Sequence, residues 1–266
     1  AGRPFELAAR VDLSARLTDG RVVGLGRTGG GEALSLPEHH LCWVQPVDCS
    51  PAALRELVPQ LVAAGVSGLA LKADVRDAGL AELAPLASTL TYLDLSGCSE
   101  ISAAGLAALA PLQQLATLKL WRCPLRELGA LGALRGLSTL DLGGCAGVDA
   151  GVLAQLAGLS ELSVLNLGGC QGVDDAALAE LAPLERLTAL DLRRCRAIER
   201  GAEPLSRLSE LTLLNLSFCT RLEAESLGAL NGLPHLSWLY LLGSGVSELL
   251  AQQQLGPLRA RCQVVL

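Results

Sequence analysis

Leucines recur along this chain in a fixed pattern. The nine-residue frame Leu-x-x-Leu-x-Leu-x-x-Cys occurs six times. Full copies begin at Leu90, Leu115, Leu137, Leu162, Leu187 and Leu211. Weaker copies begin at Leu41, Val66 and Leu236, and the nine starts lie 22 to 25 residues apart. Such regular spacing predicts a stack of similar structural units, because each unit repeats the same pattern of apolar positions.

Each repeat predicts a short strand followed by a short helix. The second and third leucines of the frame are two residues apart, as in a strand that buries alternate side chains. In the alanine- and leucine-rich segment that follows, Leu106, Leu109 and Leu112 have helical spacing. Ser102 and, in a later repeat, Asp174 can cap the first helical turn. One such unit cannot bury its own apolar side, whereas parallel stacking creates a continuous core. We therefore expect nine repeats within residues 41–246.

The two ends of the chain do not repeat and are predicted to cap the stack. Residues 1–40 are expected to contain a hairpin whose turn is Thr18-Asp19-Gly20. Residues 247–266 are expected to form a helix over Ser247 to Gln254 and a final strand in "CQVVL". Caps of this kind keep the core of a terminal repeat out of water.

The frame ending in cysteine, together with the following "ISAAGL" and "VDDAAL", resembles leucine-rich repeats of the cysteine-containing subtype, which occur in F-box leucine-rich repeat proteins. The resemblance covers residues 41–250. It implies an α/β fold, a right-handed solenoid or horseshoe with a parallel sheet on its concave side and short helices on its convex side. No F-box is recognisable, because "LPEHHL" (residues 36–41) has the opening Leu-Pro but Leu41 already begins a repeat.

The resemblance also implies which side chains are available for binding. The third, fifth, seventh and eighth positions of the frame face outward on the concave side, and in this chain they hold six of the seven aromatic residues. The predicted partner-binding residues are Trp43, Tyr92, Asp94, Lys119, Trp121, Arg122, Asp141, Asp191, Arg193, Arg194, Phe218, Trp238 and Tyr240. Exposed aromatic and arginine side chains are typical of interfaces. The alternative is that the aromatic rings only stack against one another on the sheet.

Between these residues lie Gly143, Gly144, Gly168 and Gly169, which predict a floor without side chains. Trp121 and Arg122 are expected to form one wall of a trough over this floor. Phe218, Trp238 and Tyr240 are expected to form the other wall. The repeat that holds Trp121 is the shortest, and Pro124 follows its cysteine, so its helix is expected to be truncated.

Composition excludes several classes of function. The formal net charge of −6 argues against general attraction to nucleic acid or acidic membranes. The sequence contains no stretch of about 18 uninterrupted apolar residues, so no transmembrane helix is predicted. Seven of the nine cysteines occupy the cysteine position of a repeat, so we expect packed, unpaired thiols rather than metal ligands, and a reducing, cytoplasmic location. Cys42 and Cys262 lie outside this series and have no assigned role.

Nothing in the sequence predicts catalysis or a cofactor. Gly24 to Gly29 matches the dinucleotide-binding pattern G-x-G-x-x-G, but glycines and Pro37 follow where a helix would be needed, so a flexible loop is expected. His39, His40 and His235 have no neighbouring ligand cluster in the sequence. No serine or cysteine lies in a nucleophile motif.

The sequence therefore predicts a non-catalytic module that binds a protein partner of unknown identity through its concave face. Two alternatives use the same scaffold. The first is the substrate-recognition part of a ubiquitin ligase, and the second is a structural subunit of a large assembly.

Overall fold

The leucine frame forms short parallel strands separated by short helices. The computed structural model describes residues 3–5, 11–16, 22–28, 34–36, 41–71 and 74–266, and it describes side chains from residue 43 onward. The chain divides into two units, residues 1–120 and residues 121–266. We call them unit 1 and unit 2.

Unit 1 begins with antiparallel strands and continues with parallel ones. Its strands are β1 (Arg3–Phe5), β2 (Val11–Arg16), β3 (Val22–Thr28), β4 (Leu34–Leu36), β5 (Leu41–Pro46), β6 (Gly68–Ala70), β7 (Tyr92–Asp94) and β8 (Thr117–Lys119). Its helices are α1 (Pro51–Ala63), α2 (Asp77–Ala81) and α3 (Ala103–Ala107), with a 3₁₀ turn at Ala84–Leu86. Strands β5 to β8 pair in parallel in chain order, and β5 also pairs antiparallel with β2.

Before the first repeat, two expectations can be compared with the backbone. Strands β2 and β3 pair antiparallel, while the Thr18-Asp19-Gly20 turn expected between them lies outside the described residues. The flexible loop predicted over Gly24 to Gly29 is wrong for Gly24 to Thr28, because these residues lie in β3. Pairing with β2 provides hydrogen-bond partners that a loop would lack. Gly29, His39, His40 and the side chain of Cys42 lie outside the described part of the chain.

Unit 2 repeats one strand–helix arrangement. Its strands are β9 (Thr139–Asp141), β10 (Val164–Asn166), β11 (Ala189–Asp191), β12 (Leu213–Asn215), β13 (Trp238–Tyr240) and β14 (Gln263–Val265). Its α-helices are α4 (Ala150–Ala154), α5 (Asp175–Ala179), α6 (Ala202–Leu205), α7 (Glu248–Gln254) and α8 (Gly256–Arg259). Segments of 3₁₀ helix lie at Gly129–Ala133, Gln155–Gly158 and Ala224–Gly232. Strands β9 to β14 pair in parallel in chain order.

Leucines in register form the core of unit 2. Leu140, Leu165, Leu190 and Leu214 are paired neighbours on adjacent strands, and each has at most 1% of its surface exposed. The helices begin where the sequence predicts, as at Asp174, whose carboxylate accepts the Ala177 N–H at 2.9 Å. This arrangement is the parallel α/β leucine-rich repeat solenoid that the sequence predicts.

The repeat cysteines form a buried ladder. Cys170, Cys195 and Cys219 donate their thiol hydrogens to the carbonyl oxygens of residues 142, 167 and 192, at Sγ–O distances of 3.1, 3.1 and 3.2 Å. Burial raises the pKa of the Cys170 thiol to about 11 and that of the Cys219 thiol to about 12. The packing role predicted for these cysteines agrees with their position.

The repeat that contains Pro124 has lost its α-helix, as its length predicts. It has only the 3₁₀ segment Gly129–Ala133 in that place. The side-chain oxygen of Gln155, from the next repeat, accepts the backbone N–H groups of Leu128 at 2.7 Å and Gly129 at 2.8 Å. This side chain therefore replaces helical hydrogen bonds that the shortened repeat cannot make. Within the described residues, every helix is too short or too polar to cross a membrane.

Candidate functional site

An open pocket of about 750 Å³ lies in unit 2, along the turns that follow the strands. We call it the arginine pocket. It is lined by Trp121, Arg122, Gly144, Asn166, Gly168, Gly169, Gln171, Arg193, Arg194, Arg196 and Phe218. The predicted residues Trp121, Arg122, Arg193, Arg194 and Phe218 therefore come together around three of the four predicted floor glycines, and Gly143 is not part of the lining.

The turn that carries these residues places the eighth frame position in a left-handed backbone conformation. Glycine suits this conformation and occurs there as Gly144 (φ +70°) and Gly169 (φ +80°). Arg122 (φ +57°), Arg194 (φ +61°) and Phe218 (φ +61°) adopt the same conformation with a side chain attached. A non-glycine residue in this region costs about 1–2 kcal/mol, so each of these side chains is retained against a conformational penalty.

The fifth frame position shapes the same turn. The side-chain oxygens of Asp141, Asn166 and Asp191 each accept the backbone N–H of the residue two positions later, at 2.9, 2.8 and 3.0 Å. Asp94 in unit 1 accepts the Ser96 N–H in the same way at 2.9 Å. Such bonds are typical of Asx turns. The three predicted aspartates thus hold the end of a strand in shape.

The bare glycines make room for large side chains from neighbouring repeats. A Cβ atom added to Gly143 would lie 2.9 Å from Cδ1 of Trp121, and one added to Gly144 would lie 3.0 Å from Cγ of Arg122. On the other side of the floor, a Cβ atom on Gly168 would lie 3.0 Å from Cγ of Arg193. Glycine is therefore required beside Trp121 for the indole to lie against the adjacent backbone.

Two arginines lie over the aromatic walls of the arginine pocket. The Arg122 guanidinium lies 4.2 Å from the centre of the Trp121 ring, and that of Arg194 lies 5.6 Å from the centre of the Phe218 ring. Trp121 and Phe218 remain 40% and 39% exposed. A cation over an aromatic ring contributes about 0.5–1 kcal/mol at an exposed site, so these contacts orient the guanidinium groups without burying them.

Positive charge in the arginine pocket is only partly compensated. Arg193 pairs with Asp191, its Nε lying 2.9 Å from the carboxylate Oδ2. Arg122, Arg194 and Arg196 make no ion pair with any described residue. Three of the four lining arginines are thus available to an anionic group.

Trp238 and Tyr240 lie outside the lining of this pocket. They stack with ring centres 6.2 Å apart and an angle of 10° between the planes, and Trp238 is 41% exposed. Of the three residues predicted to form the second wall, the pocket lining includes Phe218 alone. The Phe218 ring packs against Gly243, where an added Cβ would lie 2.6 Å from ring Cδ1.

The four predicted residues of unit 1 form a packed cluster. Trp43 and Tyr92 stack with ring centres 5.6 Å apart, and the Lys119 ammonium lies 5.5 Å from the centre of the Tyr92 ring. The Tyr92 hydroxyl donates to the Asp94 carboxylate at 3.3 Å. Tyr92 is only 6% exposed, so it packs within the cluster rather than projecting from it.

Sequence reasoning missed three lining residues. Asn166 occupies the fifth frame position but lacks the charge by which the aspartates were chosen. Gln171 and Arg196 each follow a repeat cysteine by one residue, beyond the end of the nine-residue frame. Extending the frame to a tenth position would have found both. Among the described residues, no group of three or more histidine, cysteine or acidic side chains is arranged to hold a metal ion.

Comparisons with known proteins agree with a repeat architecture. The family model described as "Leucine Rich repeat" matches residues 87–110. A search of curated proteins finds no match. The family model thus recognises one of the predicted repeats directly.

Several solved structures are similar to this chain. Internalin C2 from Listeria monocytogenes is 27% identical, with 64% of this chain and 72% of that chain covered and a TM-score of 0.43. Internalin InlF from Listeria monocytogenes is 18% identical, with 80% and 69% covered and a TM-score of 0.49. TLR13, in a complex with ssRNA13, is 19% identical, with 72% and 33% covered and a TM-score of 0.44.

Proposed function

We propose that this protein is a non-catalytic module that binds a protein partner through the open face of unit 2. The observation that carries the proposal is the exposure of Trp121, Phe218 and Trp238, at 40%, 39% and 41%, on a chain whose core is built mainly from leucine. Buried aromatic side chains contribute much of the energy of protein interfaces and lose little conformational entropy on binding.

Backbone conformation supports the same proposal. Phe218 and the arginines at positions 122 and 194 occupy a left-handed position that glycine occupies in four other repeats, at Gly97, Gly144, Gly169 and Gly243. Backbone conformation alone favours glycine there, and the retention of large side chains against this preference supports a role for them beyond packing. Strained residues cluster at functional sites for this reason.

The cluster in unit 1 is assigned a different role. Because Tyr92 is buried beneath Trp43 and Lys119, truncating it would remove packing rather than an exposed contact. We therefore propose that Trp121, Phe218 and Trp238 are the partner-binding anchors, and that Asp141 and Asp191 support the turns that present them.

We also propose that the protein works in a reducing compartment such as the cytoplasm. Cys170, Cys195 and Cys219 are buried thiols that do not form disulfides. Disulfides are rare where glutathione and thioredoxin keep thiols reduced, and unpaired cysteines are tolerated there.

Affinity purification from native lysate, followed by mass spectrometry and a binding titration with the recovered partner, tests the proposed function. Trp121→Ala or Trp238→Ala should weaken binding of the partner by about 2 kcal/mol or more, which is about thirtyfold in affinity, with little change in the melting temperature of the protein. A packing role would instead lower the melting temperature.

Glu185→Ala and Arg207→Ala provide the matched controls. Both residues are exposed, and they lie in the segments that follow α5 and α6 rather than in the strand turns. Both control variants should bind the partner with unchanged affinity. If these controls abolish binding while both tryptophan variants retain it, the helix side is the interface, and the assembly-subunit alternative replaces this proposal.

A further inference from the structure

The arginine pocket carries positive charge on a protein that is acidic overall. The formal net charge of the chain is −6, yet the pocket lining contains four arginines and no aspartate or glutamate. Asp191 pairs with Arg193, which leaves Arg122, Arg194 and Arg196 without a carboxylate among the described residues. A pocket of this composition attracts an anionic ligand and disfavours a cationic ligand.

Spacing along the turns limits what kind of anion can fit. The turn backbones form a ladder in which Arg122 N–H donates to the Gly143 carbonyl at 2.8 Å, Gly144 to Gly168 at 2.8 Å, and Gly169 to Arg193 at 2.7 Å. Three such steps separate the backbone of Arg122 from that of Arg194. At about 4.8 Å for each step, the separation is about 14 Å. The Arg122 guanidinium lies over Trp121 of its own repeat, and the Arg194 guanidinium lies near Phe218 of the following repeat. The two side chains therefore do not lean toward each other, and a single phosphate or carboxylate is too small to contact both.

An extended peptide spans this distance with about four residues, at about 3.3 Å for each residue. The glycine floor between the two arginines leaves space for its backbone, and the exposed rings of Trp121 and Phe218 flank its path. The guanidinium groups, each over an aromatic ring, can offer paired N–H donors to carboxylates.

We propose that the arginine pocket binds an extended acidic segment of a protein partner, with carboxylate side chains about four residues apart engaging Arg122 and Arg194. This inference rests on the proposed function, because the pocket belongs to the same open face. It adds the chemistry of the ligand, which the aromatic residues alone do not specify.

Selection of random twelve-residue peptides displayed on phage against the full-length chain provides the test. The selected peptides should be enriched in aspartate and glutamate. In fluorescence polarisation, a selected peptide should bind the Arg122→Gln/Arg194→Gln variant at least tenfold more weakly than the unchanged protein. Replacing its acidic residues with asparagine and glutamine should weaken binding by a similar factor.

A matched control separates the pocket from net charge. Arg135→Gln/Arg207→Gln removes the same two charges from exposed positions outside the lining and should leave affinity unchanged. Equal weakening by the two double variants would overturn the inference in favour of general attraction. Failure to select any peptide, or selection of peptides without acidic residues, would also overturn it.

Two further probes compare other anions. A uridine octamer and a peptide with a single phosphoserine should bind at least tenfold more weakly than the selected acidic peptide. Tighter binding of either probe, lost in Arg122→Gln/Arg194→Gln, would overturn the inference. Trp121→Ala distinguishes the two proposals. If neutral peptides are selected and this variant loses them, the acidic-ligand inference fails while the proposed function stands.

Discussion

Replacing Arg122 by glycine should reduce stability less than replacing it by alanine, against the usual order of these two residues. Both substitutions remove the guanidinium and its contact with the Trp121 ring, so those losses cancel in the comparison. What remains is the backbone at φ +57°, which alanine must hold with a Cβ atom and glycine holds without one.

The magnitude follows from two opposing terms. Relief of the left-handed conformation favours glycine by about 1–2 kcal/mol. The greater freedom of glycine in the unfolded chain favours alanine by about 0.5–1 kcal/mol. Taking the middle of each range, Arg122→Gly should be more stable than Arg122→Ala by about 0.75 kcal/mol, or about 1.5–3 °C in melting temperature for a chain of this size.

Urea unfolding followed by circular dichroism measures this difference, provided that the two variants share the same m-value. Thr139, which lies in strand β9, provides the control position. Thr139→Ala should be more stable than Thr139→Gly, because an extended strand does not need the conformational freedom of glycine. If Arg122→Ala is as stable as Arg122→Gly or more stable, the backbone-strain argument for these side chains is refuted.

Two further predictions concern the core. Leu165 is 1% exposed between the leucines of adjacent strands, so Leu165→Ala should lower the free energy of unfolding by about 2–5 kcal/mol in urea titration, and a loss below about 0.5 kcal/mol would contradict the register. Burial raises the pKa of the Cys170 thiol in the folded protein to about 11. Between about pH 9 and pH 11 the thiol therefore ionises in the unfolded chain but not in the folded one, so the free energy of unfolding falls as the pH rises. The free energy of unfolding, measured at pH 8, 9 and 10, should fall more steeply with pH for the unchanged protein than for Cys170→Ala, by up to about 1.4 kcal/mol per pH unit. Parallel pH profiles for the two proteins would show that this thiol does not titrate on unfolding.

The sequence alone was sufficient to predict the repeat register. The strands, the buried leucines, the cysteine ladder and the helix lost after Pro124 all depend on the spacing of a few residues within one repeat. Apolar periodicity and helix capping are local properties that need no knowledge of neighbouring repeats. The pairing of β2 with β3 was predicted as a hairpin, but the continuation of β3 through Thr28 was not, because glycine is depleted in strands and the glycines from Gly24 onward favoured a loop.

Tertiary structure decided which of the outward positions are accessible. Tyr92 and Trp121 are both aromatic residues at outward frame positions, yet Tyr92 is 6% exposed and Trp121 is 40% exposed. Trp43 and Lys119 cover the Tyr92 ring, whereas Trp121 has the bare Gly143 beside it. The left-handed turn likewise brings Arg196 into the pocket from beyond the frame. Exposure depends on side chains contributed by adjacent repeats, so it emerges only when the repeats are stacked.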